Sequence, residues 1–175
     1  MKKNFFLYIF FLLPIWAFSQ NEDSLLSIIE TKVEIESLEF LSQQDRSIGD
    51  KSRQFNYDTF KVERTLEKLL DLDPSTHGTN FGISIATKGY DFLLNKYYKL
   101  LLSSLNKENQ SVLKNAQKAW LNFRDEETKL ISLLRSDKYS GGGTIQSMIE
   151  LSSILSLYKA RVIELFNHYD EITNE

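Results

Sequence analysis

The chain has 175 residues, with 21 lysines and arginines against 24 aspartates and glutamates, two histidines and no cysteine. The net charge of −3 argues against nucleic acid as a ligand, because phosphate backbones are bound through clustered cations. Without cysteine there can be no disulfide, thiolate zinc site or cysteine nucleophile, so stability has to come from packing.

The first element is "MKKNFFLYIFFLLPIWAFSQ". Lys2 and Lys3, an apolar run from Phe5 to Ala17 and the small residues Ala17 and Ser19 predict a secretory signal over residues 1–19, cut before Gln20. A membrane span is the alternative, but the 13-residue run is broken by Pro14, and a span needs roughly 20 apolar residues. No cysteine follows the run, so a lipoprotein anchor is not expected. The reading is an exported chain, periplasmic or extracellular, with no stable membrane insertion after cleavage. Loss of Lys2 and Lys3 moves the net charge from −3 to −5. The remainder is long enough for one domain with its own core.

From residue 23 onward the pattern is helical almost throughout, and the expectation is an all-α antiparallel bundle of about five helices. "DSLLSIIETKVEIESLEFLS" places Leu25, Ile28, Ile29, Val33, Leu38 and Leu41 on roughly one face, with Asp23 or Ser24 as a cap. "QQDRSIGDKSRQ" interrupts it. A second helix over about 57–72 carries Phe60, Val62, Leu66, Leu69 and Leu70, and ends at Asp73-Pro74 because a residue before proline is pushed out of the helical region. "PSTHGTN" reads as a turn-rich connector. The glycines at 78–89 and 141–143 read as punctuation.

A third helix follows with Tyr90, Leu93, Leu94, Tyr97, Leu101 and Leu105. Asn106 caps a fourth, whose buried stripe is expected at Val112, Ala116, Trp120, Phe123, Ile131 and Leu134. After "SDKYSGGG", a fifth helix turns Ile145, Met148, Leu155, Val162, Leu165 and Tyr169 inward. Short links make the last three helices antiparallel neighbours.

Catalytic patterns are thin, and neither an enzyme nor a cofactor is expected. His77 and His168 are far apart, neither has a second histidine at helical spacing, and both read as solvent-exposed or capping residues. No G-x-S-x-G turn occurs. Asp125, Glu126 and Glu127 are consecutive on one helix, so they point in different directions rather than across a cleft. "SGGGTIQ" lacks the Lys-Ser or Lys-Thr pair of a phosphate loop, and reads as a helix link or an exposed recognition loop tipped by Tyr139.

The segment "AQKAWLNFRDEE" at 116–127 sets Trp120 and Arg124 on one helix face with Asp125 beside them. Arg124 is expected to reach a carboxylate on a neighbouring helix, making a structural clasp. Ligand gripping is the competing role. The candidate binding residues are Trp120, Arg124, Asp125, Tyr97 and Tyr139. No metal-binding residue is expected.

These residues carry a family likeness. Asn95, Lys96 and Tyr97, then Ala116, Trp120, Phe123, Arg124 and Asp125, resemble the signature helices of the lysozyme inhibitor LprI-like family of exported bacterial proteins. "GGGTIQSMIELSSILSLYKARVIEL", with Arg161 and Leu165, is similar to that family's Gly-Gly turn and final helix. The resemblance implies a helical domain over 75–170, preceded by an N-terminal extension over 20–74. It also implies a protein-binding role, namely inhibition of a basic, lysozyme-like wall hydrolase. A structural envelope protein without inhibitory role is the alternative. Family members often carry cysteines where this chain has Thr128 and Ser153, so the bridge they imply between the last two helices is absent here.

Overall fold

The computed structural model describes residues 13–173. Residues 1–12 of the expected signal lie outside the described residues, and its remainder begins the first helix. The helices are α1 (Leu13–Gln43), α2 (Asp50–Leu72), α3 (Thr76–Ser104), α4 (Lys107–Arg135), α5 (Asp137–Ser140) and α6 (Ile145–Thr173), with a 3-10 turn at Arg46–Ile48. The all-α expectation is met. The helix beyond the five anticipated is the four-residue α5, inside the expected link.

Side-chain caps set several boundaries. Asp45 accepts from the Ser47 N–H at 2.8 Å, Ser75 from the Gly78 N–H at 3.2 Å and Asn106 from the Asn109 N–H at 2.8 Å. Each satisfies a backbone donor that the first turn leaves without a partner. The Ser75 cap corrects the connector expected at 74–80, since α3 begins at Thr76, within it. Likewise α2 starts at Asp50 rather than near 57, and α1 runs through Asp23 and Ser24 instead of starting there. Polar residues there suggested loops, but nothing in them prevents helix once tertiary packing favours it.

α3 is the centre of the bundle. Its Ile83, Ala86, Tyr90, Leu93, Leu94, Tyr97 and Leu101 form one core with Leu155, Val162, Leu165 and Phe166 of α6. The two helices run parallel: Asn80 donates to Ser147 at one end, and Tyr97 packs edge-on against Phe166 further along. Consecutive long helices alternate in direction, as the short links require. Yet the most extensive packing joins α3 to α6, and α4 lies outside them, mainly against α6.

The glycines at 78–89 are not punctuation. Gly78, Gly82 and Gly89 lie inside α3 on the side facing α2, with Ala86 between them. A Cβ at Gly89 would stand 2.9 Å from Val62, and one at Gly82 3.2 Å from Leu66. Their small size lets α2 approach closely, the gain that offsets glycine's cost within a helix.

α1 packs on α2 with Ile29, Val33 and Ser37 buried and Phe40 stacked on Phe60 at 4.2 Å. This face is rotated from the expected one, leaving Leu25, Ile28 and Leu38 exposed. The fourth helix shows the same correction more strongly. Leu113 and Gln117 are its buried residues, Trp120 is half-buried, and the expected core positions Val112, Ala116, Phe123 and Leu134 are exposed. Ile145, expected inward on α6, is exposed as well, whereas Leu155, Val162 and Leu165 are buried as expected.

Candidate functional site

Two clusters hold four of the five candidate binding residues, Trp120, Arg124 and Asp125 in one and Tyr97 in the other. The first is built on α4 and α6. Spacings of three and four bring Gln117, Trp120 and Arg124 to one side of α4, and Tyr158 and Arg161 face them from α6. Trp120 meets Tyr158 edge-on, with ring centroids 6.1 Å apart. The Arg124 guanidinium lies 5.6 Å from both ring centres, and that of Arg161 lies 5.8 Å from Trp120. Each contact pairs a cation with an electron-rich ring face. Arg161 also donates two hydrogen bonds to the buried Gln117 Oε1, at 3.1 and 3.0 Å, and one to Glu164 at 3.0 Å.

The expected carboxylate from another helix is not what Arg124 meets. Its Nε and a terminal nitrogen donate to Asp125 Oδ1, at 2.9 and 2.6 Å, within the same helix. The interhelical tie of Arg124 is made through the Tyr158 ring of α6 instead, while its contact with Trp120 stays within α4. Asp125 itself is exposed, so this cluster presents one open carboxylate beside a partly covered indole.

The second cluster surrounds Tyr97, which is fully buried, as its place on the apolar stripe of α3 implies. Its hydroxyl donates to Asp58 Oδ2 at 2.6 Å, and Lys96 is ion-paired with the same oxygen. Gln54 donates to the other oxygen at 3.0 Å. Burial, and then the Asp58 carboxylate, push the Tyr97 phenol well above its usual range. Phe55 and Phe166, stacked at 4.0 Å, complete the surroundings. Asp58 was not singled out in the sequence, where it was one polar residue in an amphipathic pattern.

The remaining candidate stands apart. Tyr139 is exposed on α5 with the Lys138 ammonium 5.0 Å from its ring centre, next to three glycines with positive φ. The structure thus joins Trp120, Arg124 and Asp125, buries Tyr97 elsewhere and leaves Tyr139 on a connection. Sequence reading also missed a groove of about 620 Å³ between α1, α2 and α3, floored by Val33, Val62, Ala86 and Leu93 with the exposed Phe92 at its rim. Glu34 stands in its wall. Hydrogen bonds from Lys61 and Tyr57 hold that carboxyl below its usual range, while burial and Glu34 raise the Tyr57 phenol to about 12.

Both histidines are exposed, as expected. His77 is in the first turn of α3 and His168 is near the end of α6, so the parallel pairing puts them at opposite ends of the bundle. Among the described residues no group of three acidic or histidine side chains is placed to hold a metal, and no helix is long and apolar enough to cross a membrane.

A family model described as lysozyme inhibitor LprI matches residues 73–165, from the end of α2 into α6. No curated protein and no solved structure matches the chain.

Proposed function

The chain belongs to the lysozyme inhibitor LprI family, and from that premise we propose that it is an exported protein-binding module that inhibits a lysozyme-like cell-wall hydrolase. The match over 73–165 carries this reading, since it takes in α3, α4 and most of α6. Charge supports it: a chain of net charge −5 after signal cleavage would be steered toward a basic hydrolase. The reading places the protein in the periplasm or outside the cell, and gives it no reaction of its own. The separation of His77 and His168 supports that, because it removes the commonest acid–base side chain from any shared site.

The test is the clearing of a cell-wall suspension by purified lysozyme. Increasing amounts of the exported chain should slow clearing until a fixed molar ratio is reached, and the chain alone should release no wall fragments. Unslowed clearing at a large excess of folded protein would remove inhibition, leaving a structural envelope role.

A further inference from the structure

The face of α4 turned away from the bundle carries apolar residues at alternating spacings of four and three: Val112, Ala116, Ala119, Phe123, Leu130 and Leu133. Glu126 fills the one remaining position of the series. Every member is exposed, with Val112 at 67%, Phe123 at 53%, Leu130 at 46% and Leu133 at 51%. A 3.5-residue apolar repeat held over three heptads is the pattern of a helix seam that supercoils with another helix. An apolar stripe with polar margins, left open by the monomer, is a mark of an interaction surface.

Charge identifies what fits it. Glu108, Glu126 and Glu127 lie along or beside the seam, whereas Lys114 and Lys118 line the cleft toward α3 on the other flank. Glu126 is paired only with the exposed Lys129 of its own helix. A second copy of α4 would be a poor occupant. In a parallel pair Glu126 faces itself, and in an antiparallel pair it is pressed against apolar residues, because no seam position carries a cation. Burying that carboxylate would take it and its exposed partner Lys129 out of water with no cation on the facing seam, which is costly. A partner helix with apolar residues at matching spacing and a lysine or arginine opposite Glu126 meets both demands.

We infer that this outer seam of α4 is the surface that docks an amphipathic, cationic helix of the hydrolase. The inference rests on the inhibitory reading and assigns its contact surface: the seam, rather than the Trp120 cluster or the groove behind Phe92.

Calorimetric titration with purified lysozyme tests it, alongside thermal melting and light-scattering mass for each variant. Phe123→Ser with Leu130→Ser should melt like wild type and bind at least tenfold more weakly, and Leu133→Ser alone should weaken binding in the same direction. Glu126→Gln should weaken binding several-fold, and Phe92→Ser should leave it unchanged. Wild-type affinity in the seam variant, or loss confined to Phe92→Ser, overturns the seam while inhibition stands. A wild-type dimer that the seam variant dissolves overturns the partner assignment in favour of self-association. Folded wild-type protein that binds no lysozyme overturns the inhibitory reading, and the seam assignment with it.

Discussion

α3 and α4 are both 29 residues long and adjacent in sequence, yet they have opposite fates. α3 buries nine residues and is touched by α1, α2 and α6; α4 buries Leu113 and Gln117 and is held mainly by α6. Apolar spacing does not separate them, for both helices carry good stripes. What differs is the number of faces that accept a neighbour. α3 offers a row of glycine and alanine to α2 and large apolar residues to α6, so it can be enclosed. α4 offers α6 a mixed face of Leu113, Gln117, Trp120 and Arg124, and keeps its most regular apolar stripe outside.

The sharpest way to break the comparison is to remove a side chain that only α3 uses. Tyr97→Ala should cost about 3–5 kcal/mol, the range for truncating a large buried aromatic residue, and it also removes one of the three donors to Asp58, leaving Lys96 and Gln54. Chemical denaturation measures it, and a cost below about 1 kcal/mol would show that α3 is not the centre of the core.

Overfilling the glycine row should be the next largest effect. Gly89→Leu forces Val62 away and should destabilise by about 1–3 kcal/mol, despite the better helix propensity of leucine. A more stable variant would mean that the close approach of α2 is not required.

On α4, Arg124→Ala removes guanidinium contacts with Trp120 and Tyr158, each about 0.5–1 kcal/mol at a partly exposed site, so about 1–2 kcal/mol should be lost. The same variant should keep most lysozyme binding. An unchanged melting temperature with abolished binding would move the contact surface from the seam to this cluster.

Outside α3, charge does more of the holding. Hydrogen bonds from Lys61 and Tyr57 depress the Glu34 pKa, and those from Lys68 and Arg64 depress that of Glu36. A depressed carboxylate contributes stability above its unfolded pKa, about 4.3, and that contribution is lost as pH falls through the folded value. Acidification from about pH 5 to below about pH 4 should therefore loosen α1 from α2. Hydrogen exchange should rise in residues 29–37 before residues 90–101, and simultaneous loss of protection would contradict a separately held layer. The smallest effect should come from the exposed stripe: Phe123→Ser should change stability by no more than about 0.5 kcal/mol. A larger loss would mean that the stripe supports the monomer.

The sequence itself determined the helical class and most of α3. Tyr90, Leu93, Leu94, Tyr97 and Leu101 all point inward, because a helix central to the bundle leaves little choice of face. The local caps Ser75 and Asn106 act within three residues, so sequence can carry them, though only Asn106 was recognised. The position of Trp120 beside Arg124 was also local, fixed by a spacing of four.

Tertiary structure alone decided the rest. The inner faces of α1 and α4 depend on where neighbours stand, and a helix with two apolar stripes does not say which will be covered. The glycines of α3 looked like breaks because their value lies in a neighbour's approach, which no local pattern records. Asp58 meets Lys96 and Tyr97, and Arg161 meets Gln117 and Trp120, only because distant segments pack side by side. Hydrophobic spacing states that a face needs cover; the geometry of packing chooses which face receives it, and on α4 the most regular stripe remains open.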